Sequence, residues 1–392
     1  MSDAARPSAA VMAMIERLVA FDTTSHLSNL ALIEDVRGYL AGLGIRSRLT
    51  TDDHGHKANL FATLGPADRP GIVLSGHTDV VPVEGQDWHS NPFQVVERAD
   101  RLYGRGTSDM KSFLALCLAL APEFLERGLT VPIHLAFSYD EEVGCLGVRR
   151  LLADLAHLPV QPRLCIVGEP TEMRVIVGHK SKRSMRCHVH GLECHSALAP
   201  QGVNAVEAAA EAVAHLKRIA RRMRDEGPFH QLFDPPFTTV HTGVIHGGTA
   251  LNIVPRECWF DFEFRAIPGH DDAALLSETK EWVAAHVEPE MKAVSPEAGF
   301  EWHETNHTAG LDMRDDDEAT RFVSALTGAN ATGRVSFATE AGLFQQAGIP
   351  TIVCGPGSIE QAHKPDEFIT LDQIAQGEAF LRRLMAQVCA AA

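Results

Sequence analysis

Gly71-Ile-Val-Leu-Ser-Gly-His-Thr-Asp-Val-Val-Pro82 is the stretch on which the fold turns. It opens on a continuous apolar run, Ile72-Val73-Leu74, and closes on a polar turn carrying His77 and Asp79. A short run that is apolar throughout, rather than alternating, reads as a strand buried on both faces, and such strands belong to α/β sheets covered by helices. The neighbouring segments agree. Residues 59–64, 71–75, 133–138, 164–167 and 351–353 read as strands. Val11, Met12, Ile15, Leu18 and Val19 repeat at helical spacing, as do Ile33, Val36, Leu40 and Leu43. Helices are also expected over 110–127, 148–155 and 316–326, and from Leu371. The alternation predicts an α/β fold.

The pattern changes near residue 182. Over 184–190, Met185, Cys187 and Val189 face one way and Arg186, His188 and His190 the other. An Ala-rich helix over 203–224 follows, then strands over 239–245 and 257–265, a helix over 271–287 and a short strand over 291–294. Cys258, Phe260, Phe262 and Phe264 share one face of the second of these strands. This is the β-α-β-β-α-β order of a ferredoxin-like α+β domain. The expectation is a small domain over 182–292 inserted into a larger discontinuous one, 1–181 and 293–392.

Composition narrows the partners. The 392 residues include 35 basic and 51 acidic side chains, a net charge of −16, which argues against nucleic acid or an anionic membrane surface. No run approaches the ~18–20 apolar residues of a membrane span. The N-terminus, Met1-Ser-Asp-Ala-Ala-Arg-Pro7, lacks the order of a signal peptide, so a cytoplasmic location is expected. Eight cysteines without a Cys-x-x-Cys read as reduced thiols.

The candidate chemistry collects at strand ends, where ligands gather in α/β sheets. His77 and Asp79 follow one strand, Glu141 and Glu142 another, and Glu169 a third; His363 lies in the loop after 351–353. Asp109 comes from a glycine-rich turn, Gly104-Arg-Gly-Thr-Ser-Asp-Met-Lys111, at the start of a helix. So many carboxylates in one cleft would repel and raise each other's pKa, and two divalent cations remove that conflict. His77 and Glu169 can ligate one, His363 and Glu142 the other, with Asp109 bridging and a position left for water on each. Metal-bound water has its pKa lowered to ~7. Glu141 and Glu142 are adjacent and should point apart, so one ligates while the other handles the water's proton. Asp79 can orient the His77 imidazole from behind. Cys187-His188-x-His190 and Cys194-His195 also resemble zinc-ligand material. Strand alternation, however, puts Cys187 opposite His188 and His190, and there is no knuckle motif.

Along nearly its whole length the chain resembles the M20 family of zinc-dependent aminoacylases and carboxypeptidases. Ser75-Gly-His-Thr-Asp-Val-Val-Pro82, Leu102-Tyr-Gly-Arg-Gly-Thr-Ser-Asp-Met-Lys111 and Asp140-Glu-Glu-Val-Gly144 are similar to the family's core motifs. Gly178-His-Lys-Ser-Lys-Arg-Ser-Met185, Cys194–Asn204, Phe337-Ala-Thr-Glu-Ala341 and Gly355–Glu367 resemble its acetylornithine deacetylase branch, with Ser181 where relatives often carry glycine. The resemblance implies a zinc-peptidase-like catalytic domain with a mixed sheet flanked by helices, and an inserted lid and dimerisation domain. It implies two zinc ions per subunit, replaceable by cobalt, on His77, Asp109, Glu142, Glu169 and His363. Glu141 falls at the general base, Asp79 behind the metal-binding histidine, and His195 at a lid histidine that reaches the scissile carbonyl. Asn252 and Arg265 fall at positions associated with the substrate carboxylate, and the Asp109-Met110 peptide where the family tends to be cis. The implied reaction is deacetylation of N-acetyl-L-ornithine to ornithine and acetate, in arginine biosynthesis, by a cytoplasmic homodimer. Open beside it are deacylation of acetylcitrulline, formylmethionine or acetylated apolar residues, a dipeptidase activity, and a catalytically silent relative that only binds an amino-acid derivative.

Overall fold

Ile72–His77 lies in the middle of a mixed sheet with strand order Ser47–Thr51, Ala58–Leu64, Ile133–Ser138, Ile72–His77, Leu164–Pro170, Thr351–Gly355, Val175–His179, Leu311–Asp312. The computed structural model describes residues 6–390. Four adjacent strands, Ile133–Ser138, Ile72–His77, Leu164–Pro170 and Thr351–Gly355, run parallel. Every residue in these four is buried, as the unbroken apolar runs predict. Because they are parallel, their carboxyl ends open on the same edge of the sheet. The α/β expectation is therefore met.

Helices supply the cover. Lys111–Glu126 packs against Ala9–Val19, Leu371–Val388 and the strand Ile72–His77, while Leu30–Gly42 and Leu146–Leu155 pack on Ala58–Leu64. One close approach depends on a missing side chain. A Cβ on Gly168 would lie 2.1 Å from the Phe113 ring, so glycine is what lets this helix press against the strand just before Glu169.

The chain divides into two compact units. The first takes in the chain through Gly178, Leu311–Gly333 and the chain from Thr339; the second is His179–Gly310 with Arg334–Ala338. The second unit is an antiparallel sheet ordered Thr239–Gly247, Glu257–Arg265, Lys182–His190, Gly299–Thr308. Met185, Cys187, Val189, Cys258, Phe260, Phe262 and Phe264 form its inner face, packed on Ala205–Glu226 and Asp272–His286. Element order and strand order are ferredoxin-like, as expected.

The fourth strand is where the sequence reading needs correcting. Residues 291–294, expected as a strand, belong to the helix Glu288–Val294, and the strand is Gly299–Thr308, beyond the boundary expected at 292. The cause is local. Pro289 sits in the first turn of that helix, where its fixed φ is already suitable and its missing N–H costs nothing, and Glu288 and Glu290 complement the helix dipole there. The true strand looks polar because only alternate residues, Phe300 and Trp302, pack against the core.

Candidate metal centre

His77 ends its strand with 1% of its side chain exposed. Its Nδ1 donates to the Asp79 carbonyl at 2.9 Å, which aims Nε2 at the Asp109 Oδ1 atom 3.0 Å away and at Glu169 Oε1 3.7 Å away. The other oxygen of Asp109 lies 3.4 Å from His363 Nε2, and Glu142 Oε2 is 2.9 Å from the same nitrogen. One carboxylate thus stands between two imidazoles, each with a second carboxylate beside it. Among the described residues, donor atoms of His77, Asp109 and Glu142, and again of His77, Glu141 and Glu169, lie within 4.8 Å of one another. His363 reaches its place from a left-handed backbone conformation, φ 63°. The Asp109–Met110 peptide is cis, as the resemblance implies.

The Asp140-Glu141-Glu142 turn is divided by geometry. Asp140, also left-handed at φ 54°, pairs with Lys57 Nζ at 2.5 Å. The next two residues turn the other way because the Asp79 carboxylate accepts both of their backbone N–H groups, at 3.0 and 3.3 Å. Asp79 also accepts from Ser25 Oγ at 2.8 Å, and its Oδ1 lies 3.6 Å from His77 Nδ1. Its carboxylate therefore positions the glutamate turn as much as the imidazole.

The electrostatics describe a donor set short of positive charge. Burial raises the Glu142 carboxyl to about 7, with Asp109 adding to the rise. Burial pushes Glu169 well above the usual range, reinforced by Asp109, and does the same to Glu141, where Glu142 and Glu340 add to it. Asp109 and Glu142 raise His363 to about 10. Burial opposes charge on His77, but Asp109 and Asp79 outweigh it and hold its pKa well above the ordinary value. Two imidazoles and several buried carboxylates that repel one another are the ligands that a pair of divalent cations would satisfy.

Two buried carboxylates that the sequence reading did not single out hold this arrangement. Glu340 accepts from the Ser138 hydroxyl and from Ser75 Oγ at 3.4 Å, tying together the strands that deliver Glu141, Glu142 and His77. Glu367 accepts the backbone N–H groups of Gly106, Ser108 and Asp109 at 3.1, 2.8 and 3.0 Å and pairs with the buried Arg105 at 2.8 Å. It therefore shapes the turn that presents Asp109. The signal was in the sequence, since Glu367 closes the motif that contains His363, but nothing local to it shows a partner 260 residues away. Glu367→Ala should cost about 3–5 kcal/mol in urea unfolding, because it leaves the Arg105 charge buried without its carboxylate. A loss below ~1 kcal/mol, the usual worth of an exposed pair, would contradict this role.

The remaining expected site residues lie in the second unit. His195 and Asn252 are on neighbouring backbone segments: Ser196 N–H donates to the Asn252 carbonyl at 3.0 Å and His195 bridges to Ile253. His195 Nδ1 accepts from Ala197 N–H at 3.1 Å, which places the ring proton of the neutral form on Nε2. Arg265 ends its strand with Nε on Glu263 at 2.7 Å. Cys187 is fully buried on the inner face, so it joins no site with His188 and His190, in line with the alternation. No described helix is long and apolar enough to cross a membrane.

Known proteins are similar to this chain over nearly its whole length. The acetylornithine deacetylase of Pasteurella multocida is 32% identical over 384 residues, 96% of this chain and 97% of that protein. Those of Myxococcus xanthus and Proteus mirabilis are 34% and 35% identical, covering 97% and 95% of this chain and 98% and 93% of theirs. Among solved structures, an M20 metallo-carboxypeptidase from Sulfolobus solfataricus matches with a TM-score of 0.71 at 17% identity, over 97% of this chain and 99% of that one. Aminopeptidase PepT from Bacillus cereus matches at 0.70 and 19%, over 97% and 98%. Residues 73–387 match peptidase family M20/M25/M40, and the chain belongs to that family, as a hydrolase of amide bonds.

Proposed function

We propose that the protein is a metal-dependent deacetylase that hydrolyses N-acetyl-L-ornithine to L-ornithine and acetate. The observation that carries the chemistry is the Asp109 carboxylate set between His77 and His363, with Glu142 and Glu169 beside them and Glu141 alongside. The substrate rests on the relatives that bear the deacetylase name and align with almost the whole chain. A Bacillus subtilis protein of the same fold is described as a dinuclear metal-binding peptidase, which agrees with a two-ion site.

His77, Asp109 and Glu169 would hold one ion and His363, Asp109 and Glu142 the other, zinc in the first instance with cobalt able to substitute; when bound, they supply Lewis acidity at the acyl carbonyl and lower the pKa of water. Glu141 takes the proton of the attacking water and returns it to the leaving amine, so that a C–O bond forms as the C–N bond breaks. Asp79 fixes the turn that aims Glu141. His195, with its ring proton on Nε2, donates to the oxyanion, and Asn252 and Arg265 bind the substrate carboxylate, for which a planar guanidinium is suited. The second unit acts as lid and dimerisation domain, in a cytoplasmic homodimer serving arginine biosynthesis.

Steady-state kinetics on N-acetylornithine, N-acetylcitrulline, N-formylmethionine and acetylated apolar residues test the substrate. N-acetylornithine should have the highest kcat/KM. A tenfold advantage for any other member would replace it as substrate, and no turnover of any member would leave a binding protein.

A further inference from the structure

We propose that the outer face of the second unit's sheet carries a separate site for a divalent transition-metal ion, formed by His188, His190 and His303 with Glu301. The first two lie two residues apart on Lys182–His190, the strand flanked on both sides in its sheet, so both project from the same face. Glu301 stands directly opposite His188 on the neighbouring strand, and His303 is two residues further along it.

The side chains meet in pairs. Glu301 Oε1 is 3.1 Å from His303 Nε2 and its Oε2 is 3.5 Å from His190 Nε2, so one carboxylate is shared by two imidazoles. The His188 ring lies edge-on to His303 with centroids 5.5 Å apart, and nearly parallel to His190 with centroids 6.4 Å apart. Two imidazoles on a common tetrahedral ion, with metal–nitrogen bonds of about 2 Å, have centroids about 5 Å apart. A common ion would require the imidazoles to turn about their side-chain bonds until three ring nitrogens face one point, with Glu301 already between two of them. Glu257 Oε2, 3.0 Å from His190 Nδ1, orients that ring as a carboxylate behind a metal-binding histidine does, leaving Nε2 on the converging side. The imidazoles are about half exposed, with His190 at 43% and His303 at 47%, so an ion has access from solvent.

The donor chemistry selects the ion. Three imidazoles and one carboxylate suit Zn²⁺, Ni²⁺ or Cu²⁺ and not Mg²⁺ or Ca²⁺, which need oxygen ligands. Cys187 does not take part, since its side chain belongs to the core beneath. The ion would tie Lys182–His190 to Gly299–Thr308, a link within the second unit that uses none of the residues assigned to the hydrolytic centre.

The test is titration of the holoenzyme with Ni²⁺ followed by calorimetry. The protein should take up one equivalent beyond its resident metal. The double variant H190A/H303A should bind that equivalent at least tenfold more weakly, with kcat unchanged as proof of folding. H246A, which removes another histidine of the same sheet, should bind as the parent does. Equal Ni²⁺ affinity in the parent and H190A/H303A would overturn the proposal, as would the absence of an additional equivalent in the parent. A reduced-affinity H188A single variant would support the third imidazole as ligand.

Discussion

Glu141→Gln should lower kcat about 10²–10⁴-fold, the usual contribution of a positioned general base. Metal content should remain at the parent level. Glutamine keeps the volume and one oxygen but cannot accept a proton from water. The environment of Glu141 suits the proposed transfer. Burial raises its carboxyl well above the ordinary range, and the neighbouring Glu142 and Glu340 raise it further, against the lowering effect of His77. A carboxylate with a raised pKa is the stronger base toward the proton of water. Its aim is set by the Asp79 carboxylate, which fixes the Glu141 backbone, and by Cys145 Sγ, which donates to Glu141 Oε1 at 3.4 Å. The same residue also lies within ligand range of His77 and Glu169, so the alternative role is concrete. If Glu141 were a metal ligand, the variant would lose metal together with activity. Loss of kcat with full metal content separates base from ligand, and activity within tenfold of the parent would remove Glu141 from both roles.

Much of this site is legible in the sequence because His77, Glu142 and Glu169 lie at the ends of strands whose apolar runs are unmistakable, while a glycine-rich turn marks Asp109. Buried parallel strands cannot alternate, so Ile72-Val73-Leu74 and Leu164-Cys165-Ile166-Val167 declare themselves, and their ends locate His77 and Glu169 within a residue or two. Asp140-Glu141-Glu142 is different. Three acidic residues in a row do not reveal which of them turns inward, and the answer comes from Lys57 on one side and the Asp79 carboxylate on the other. Glu367 and Glu340 were missed for a related reason. A buried carboxylate takes its meaning from its partners, and theirs are a distant turn and two separate strand ends. The strand Gly299–Thr308 was hidden by its outward histidines and glutamates, while Met291 and Val294 offered a brief apolar run that a helix absorbs.

Removing the metal with a chelator should abolish turnover and destabilise the protein, by more at pH 8 than at pH 6. The first part follows from a site in which no residue alone replaces the electrophile. The second follows from the proton affinities of the metal-free donors. Glu142, Glu169 and Glu141 hold protons more tightly when folded than the ~4.5 of an unfolded glutamate, Glu142 with a pKa of about 7. Between those values the folded chain binds more protons than the unfolded one, so stability falls as pH rises. His363, raised to about 10, and His77, raised well above its usual value, act in the same direction. Their contribution is complete below the ~6.5 of an unfolded histidine and is lost as pH climbs toward the folded pKa. Asp109 has the opposite shift, but its stabilisation is lost only at acid pH, below the window in question. With metal bound the dependence reverses, since the ligands must be deprotonated and affinity rises with pH. At a metal concentration about 1,000 times Kd, binding adds about 4 kcal/mol to stability. The Tm difference between loaded and chelated protein should therefore widen from pH 6 to pH 8. A constant or narrowing difference would mean that these carboxylates and imidazoles are not the metal's ligands.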